Sequence, residues 1–248
     1  MRSKKGLNLT ENYSYNFSLP KRQKKRIKFI ILHYTGMKNE LKALNRLTDP
    51  KSKVSAHYFI KNNGNLINLV PDLYEAWHAG KSNWKSLKSL NKYSIGIEIN
   101  NPGHNNGYKN FTFKQILTTQ RLIKFLIKKY KISPHNVLGH SDIAPSRKKD
   151  PGEKFPWSLL AKEKLCLGHN LSLGKIKIYR NIKLSLKEEK YFFTNLSKIG
   201  YSVLKDKNFK KNKNYLTKAF QRRFRQDLIN GKVDKECYLI SKNIKNLK

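Results

Sequence analysis

The chain reads as an α/β protein, a mixed central β-sheet flanked by helices and followed by a small three-helix C-terminal domain. Three observations predict this. Short β-branched and aromatic runs alternate with amphipathic stretches between residues 28 and 165, a pattern of mixed layers. In the tail, apolar residues recur at helical spacing. A length of 248 residues, 38% hydrophobic and 11% aromatic, suits one large domain plus a small one and supplies enough apolar side chain for a core.

The elements follow in chain order. Residues 1–26 are polar and close on Lys21, Arg22, Lys24, Lys25 and Arg26; they are expected to form a flexible, loosely held basic arm. A domain over 27–167 opens with a buried strand at Lys28–Tyr34. Leu41, Leu44 and Leu47 mark a helix over Glu40–Leu47, stopped at Asp49-Pro50 because the residue before proline avoids the α region. Ala56–Ile60 and Leu66–Val70 form a hairpin around Asn62-Asn63-Gly64, where a tight turn needs positive φ. Residues 76–93 read as a surface loop, and Ser94–Ile99 as a strand with Glu98 among isoleucines.

Thr112 and Gln115 form a capping box. The helix it opens carries an apolar stripe from Phe113 through Ile116, Leu117, Ile123, Leu126 and Ile127 to Tyr130. Ser133-Pro134 begins a short turn, Val137-Leu138 is a brief strand feeding His140, and residues 141–157 form a proline-punctuated loop. Residues 168–184 read as a linker and 185–248 as the helical domain, with helices near 186–199, 214–229 and 234–247. Gly231 lies just past the second of these.

Composition excludes several classes. Cys166 and Cys237 cannot make a disulfide framework or a four-thiolate zinc site. No apolar run approaches the ~18 residues of a membrane span. The first residues lack the apolar stretch of a signal peptide, so cytoplasm is the default compartment and the cell envelope the alternative. The net charge of +37 comes from 53 basic residues, of which ten are Arg and 43 Lys. Base readout leans on the arginine fork, so no specific nucleic-acid partner is expected. A compositional lysine bias accounts for the same numbers, although any polyanion, a cell-wall polymer included, would still be attracted. The chain is expected to be a monomer.

Seven histidines are available. His33 ends a buried strand, His140 follows Val137-Leu138-Gly139, and Asp150 sits ten residues later in a loop stiffened by prolines. Two imidazoles and a carboxylate leave one position of a tetrahedral zinc site open, the pattern of catalytic zinc. Such an ion lowers the pKa of its water to ~7 and polarises a carbonyl. Glu98 suits a general base, and Lys148 a stabiliser of an oxyanion. Spacing alone leaves the bland alternatives open: packed histidines, an edge carboxylate facing water, and one lysine among 43.

Five blocks then occur in order: Ile31-Leu32-His33-Tyr34-Thr35-Gly36, Val54-Ser55-Ala56-His57-Tyr58, Ala76-Trp77-His78-Ala79-Gly80, Ser94-Ile95-Gly96-Ile97-Glu98-Ile99 and Gly139-His140-Ser141-Asp142-Ile143-Ala144-Pro145 continuing to Arg147-Lys148 and Asp150-Pro151-Gly152. With Phe155-Pro156-Trp157, they resemble the type 2 N-acetylmuramoyl-L-alanine amidases, zinc enzymes related to phage amidases and peptidoglycan recognition proteins. The resemblance implies hydrolysis of the amide between the muramyl lactyl group and L-alanine, in peptidoglycan or muropeptides. It implies one Zn2+ held by His33, His140 and Asp150, with Glu98 as base and Lys148 as oxyanion stabiliser. Trp77, His78, Tyr34 and Arg147 would meet substrate, and His57 would be structural. The alternative is a non-catalytic peptidoglycan-binding protein, against which the intact ligand set speaks. Ala219–Arg225, Asn230-Gly231 and Asp234 are similar to a small peptidoglycan-binding domain, with Cys237 where that family usually has threonine.

Overall fold

Strand-forming runs and capped helices assemble as follows in the computed structural model, which describes residues 9–203 and 209–246. The strands are β1 (Leu9–Glu11), β2 (Phe17–Ser18), β3 (Phe29–Tyr34), β4 (Tyr58–Ile60), β5 (Leu66–Asn68), β6 (Glu75–Ala76), β7 (Asn83–Trp84), β8 (Leu87–Lys88), β9 (Ser94–Ile99) and β10 (Val137–Gly139). The helices are α1 (Glu40–Thr48), α2 (Phe113–Tyr130), α3 (His140–Ile143), α4 (Trp157–Lys162), α5 (Leu173–Ile176), α6 (Leu186–Ile199), α7 (Phe209–Phe224) and α8 (Lys235–Asn246). Six strands form the main sheet in the order β1-β5-β4-β9-β3-β10. Only the β4–β5 hairpin is antiparallel; the other neighbours run parallel.

Alternation along β3 and β9 decides what lies on each side, because successive strand residues point to opposite faces. Ile30 and Leu32 of β3, with Ile95, Ile97 and Ile99 of β9, pack against Ile116, Leu122, Ile123 and Leu126 of α2. Thr112 caps α2 in the expected box with Gln115. Phe113, expected in the apolar stripe, is instead exposed. On the opposite face of β3, Phe29 and Ile31 join a second core with Leu138, Trp84 and the tail residues Phe192, Leu196, Phe220 and Ile240. Each of these large side chains contributes roughly 1.5–3 kcal/mol of hydrophobic burial. The C-terminal helices and the sheet therefore share one core.

Four sequence expectations are corrected. Residues 9–26 are not a loosely held arm: β1 pairs with β5 and β2 with β6. The Asn16 amide donates to the carbonyls of Asp49 and Val54, and the buried Arg22 guanidinium to those of Asp72 and Asn91. Polar side chains reaching distant backbone leave no periodicity to read. Residues 76–93 are not merely a surface loop, since Ala79, Trp84 and Leu90 are buried there. The expected linker includes α5, whose Ile176 is buried in the second core. In the tail, α7 starts and ends about one turn earlier than expected. Residues 1–8 of the expected arm, and 204–208 and 247–248 of the expected helical domain, lie outside the described residues.

Candidate active site

At the carboxyl end of the sheet the second face turns polar. His33 of β3 and Glu98 of β9 are register partners on parallel strands, so both side chains face the same way. β10 pairs with β3 and runs into α3, which begins at His140. The backbone N–H of Ser141 donates to the carbonyl of Asp150 at 2.9 Å, folding the following loop back beneath the same strand ends. Three donor atoms thereby converge. His33 Nδ1 lies 2.9 Å from His140 Nδ1 and 2.9 Å from Asp150 Oδ2, and His140 Nδ1 lies 3.0 Å from Asp150 Oδ2. All three residues are buried.

The surrounding hydrogen bonds set the proton positions. His140 Nε2 faces the Ala79 carbonyl at 3.0 Å, an acceptor only, and Arg147 Nη2 at 3.4 Å; the shorter contact puts the proton on Nε2 and leaves Nδ1 its lone pair. For His33 the assignment runs through three residues. The Ser94 hydroxyl donates to the Leu90 carbonyl at 2.7 Å, which leaves its oxygen to accept from His78 Nε2 at 3.2 Å. His78 Nδ1 is then an acceptor for His33 Nε2–H at 3.0 Å. His33 Nδ1 consequently presents a lone pair to its two neighbours. Three acceptor atoms with no proton among them repel one another unless a cation lies between, and two nitrogens plus one carboxylate oxygen are a zinc-type donor set. The residues fit a metal.

Burial and neighbouring charges shift the titration of these groups. Burial, joined by the charge of His140, lowers His33 to about 4 against the opposing pull of Asp150. Burial raises Asp150, but His140 and His33 outweigh it and hold the carboxyl well below the usual range. Glu98 behaves oppositely: burial and then the charge of Asp150 push it up to about 8, with Lys148 opposing. Its Oε2 is buried and makes no hydrogen bond. A buried carboxylate oxygen without a partner keeps hydrogen-bonding capacity for a group that enters the site.

A cavity of about 470 Å3 opens above these groups. Its wall includes Tyr34, Trp77, His78, Glu98, His140, Arg147, Lys148 and Asp150. Every site residue expected from the sequence therefore borders it except His33, which supports the floor. Trp77 is half-buried, its indole N–H donating to Ser18 Oγ at 2.8 Å. Arg147 spends its Nη2 on the carbonyls of Ala79 and Lys81, both at 2.9 Å. His78 lies flat over Gly96, where a Cβ would stand 2.4 Å from the imidazole, so only glycine admits the ring there. His57 accepts the Gly96 N–H at 2.9 Å and stays out of the cavity wall. Sequence reasoning missed Ser94, whose hydroxyl fixes the His33 tautomer through His78, and the Ala79 carbonyl, which no side-chain motif reports. It also missed Arg46 and Asn105 on the wall.

A donor triad and a free carboxylate at the floor of an open cleft define a metal-site hydrolase built on a mixed sheet. The chain belongs to the N-acetylmuramoyl-L-alanine amidase family, whose model matches residues 23–153. The N-acetylmuramoyl-L-alanine amidase AmiD of Escherichia coli K12 is 35% identical over 228 residues, spanning 87% of this chain and 81% of AmiD. The 1,6-anhydro-N-acetylmuramyl-L-alanine amidase AmpD of Haemophilus influenzae is 41% identical over 106 residues, 42% of this chain and 55% of that protein. Among solved structures, E. coli AmiD in complex with the substrate anhydro-N-acetylmuramic acid-L-Ala-D-gamma-Glu-L-Lys matches with a TM-score of 0.79 at 32% identity, over 93% of both chains. AmpDh3 of Pseudomonas aeruginosa in complex with anhydromuramic pentapeptide matches at 0.79 and 28% identity, over 95% of this chain and 98% of that one.

Proposed function

We propose that this chain hydrolyses the amide between the lactyl group of N-acetylmuramic acid and the L-alanine of the stem peptide, with muropeptides as substrate and one Zn2+ held by His33, His140 and Asp150. The observation that carries the reading is the convergence of three proton-free donor atoms beneath a cavity with an unpaired Glu98 oxygen. Relatives solved with anhydromuramyl peptides support the substrate class.

Bound zinc supplies Lewis acidity and an activated water. Glu98 takes a proton from the attacking water and returns it to the departing amine of L-alanine. Its burial raises its proton affinity toward the neutral range, which suits both halves of that exchange. Lys148, half-buried on the cavity wall, is the cation offered to the negative charge that develops on the carbonyl oxygen. His78 holds His33 in the required tautomer, while Arg147 ties the Ala79–Lys81 backbone and Trp77 offers an aromatic wall to the sugar or peptide. Water adds to the carbonyl carbon, the C–N bond breaks, and the products are a muramyl carboxylic acid and a free peptide amine.

The test is to incubate the purified, zinc-supplemented protein with soluble anhydro-muropeptide and, separately, with intact sacculi, and to identify products by mass. Release of intact peptide with an N-terminal L-alanine is the expected result. Full turnover by a His140→Ala protein would overturn the reading.

A further inference from the structure

We propose that Arg223 and Tyr201, both from the C-terminal helical region, are positioning residues for His140. The inference rests on the metal-centre reading above. α3 is a single turn, and an isolated turn has no stability of its own because nucleation is unfavourable. What grips α3 therefore sets where His140 points.

The grip centres on Asp142, two residues past His140. Its Oδ2 accepts the Gly139 N–H at 2.8 Å and Arg223 Nη1 at 2.5 Å, while its Oδ1 accepts the Tyr201 hydroxyl at 2.6 Å. Arg223 Nη2 donates to the Val137 carbonyl in β10 at 2.9 Å. One guanidinium thus bridges the strand before His140 and the turn that contains it. Its plane also lies against Trp157, 4.4 Å from the ring centroid. Just beyond α7, Gln226 Nε2 donates to the Phe155 carbonyl at 2.7 Å and to that of Glu153. The end of α7 therefore holds both flanks of the segment that carries His140 and Asp150.

Arg223, Asp142 and Tyr201 are 4%, 1% and 2% exposed. At that depth desolvation offsets most of the attraction in an ion pair, so apolar replacements often match it for stability. The pair's distinct contribution is a fixed geometry. The Ala219–Arg225 string, similar in sequence to a small peptidoglycan-binding domain, thus turns one arginine onto the segment that carries His140.

The experiment uses the full chain with Arg223→Met, Arg223→Lys and Tyr201→Phe, each checked for fold by circular dichroism. Zinc affinity is read by competition with a chromophoric chelator, and kcat and KM on soluble anhydro-muropeptide. Arg223→Met should weaken zinc binding on the order of 10-fold, as loss of an outer support of a ligand does. It should lower kcat while leaving KM near the parent's, and Arg223→Lys should recover most of both losses. If Arg223→Met does not fold, Tyr201→Phe decides, because it removes one hydroxyl and should still weaken zinc measurably. Parental zinc affinity and kcat in the folded variants, in a parent that is active, overturn the proposal. A parent that neither binds zinc nor cleaves overturns the functional reading instead.

Discussion

Replacing His78 tests the chain of proton assignments behind His33. In His78→Phe the ring volume over Gly96 stays filled, but the acceptor that faces His33 Nε2–H at 3.0 Å is gone. A buried N–H without an acceptor costs about 1–3 kcal/mol. His33 can escape that cost only by moving its proton to Nδ1, where it occupies the lone pair that would bind metal. The zinc-bound state cannot take that route and alone bears the penalty; outer-shell losses of this kind weaken metal about 10–100-fold, or ~1.4–2.7 kcal/mol. The two ranges overlap. His78→Asn places an amide oxygen near the Nδ1 position and should retain more affinity than His78→Phe. Chelator competition at neutral pH on the folded full chain measures both. Phe and Asn variants that each bind zinc within about two-fold of the parent would refute the assignment.

Two further outcomes follow from particular side chains. Glu98→Gln removes the proton acceptor but no metal donor, so it should bind zinc normally while kcat falls ~10²–10⁴-fold; a kcat within about ten-fold of the parent's removes Glu98 from the proton transfer. Asp72 governs the acid limb of stability. Burial raises its pKa, but hydrogen bonds from Lys129, Tyr130 and Tyr58 together outweigh that and leave it below the ordinary value. A carboxyl depressed in the folded state stabilises above its unfolded pKa and loses that contribution as pH falls through the folded one. Urea midpoints should therefore drop as pH falls below about 5, and Asp72→Asn should flatten that drop. An unchanged slope in the variant would assign the acid limb to other groups.

Much of the fold is legible because it depends on local periodicity. The six-residue strands at Phe29–Tyr34 and Ser94–Ile99 carry β-branched runs, and α2 announces itself through Thr112 and Gln115. The family blocks locate His33, Glu98, His140, Lys148 and Asp150. What stays hidden is held by polar contacts between distant residues. Asn16 and Arg22 pin residues 9–26 to backbone carbonyls thirty or more positions away, and such bonds leave no pattern along the chain. Ser94 was visible only as the start of a strand, although its hydroxyl sets two imidazole tautomers.

Residue types and their order alone determined the α/β class, the alternating faces of β3 and β9, and the kinds of donor atom on offer, because each is a property of neighbouring residues. Tertiary structure decided the rest: that His33 Nδ1, His140 Nδ1 and Asp150 Oδ2 meet within 3.0 Å, and that the tail's Arg223 reaches the turn of His140. Convergence of groups 117 positions apart requires packed strands and helices to close the chain upon itself, and no local pattern encodes where those surfaces come to rest.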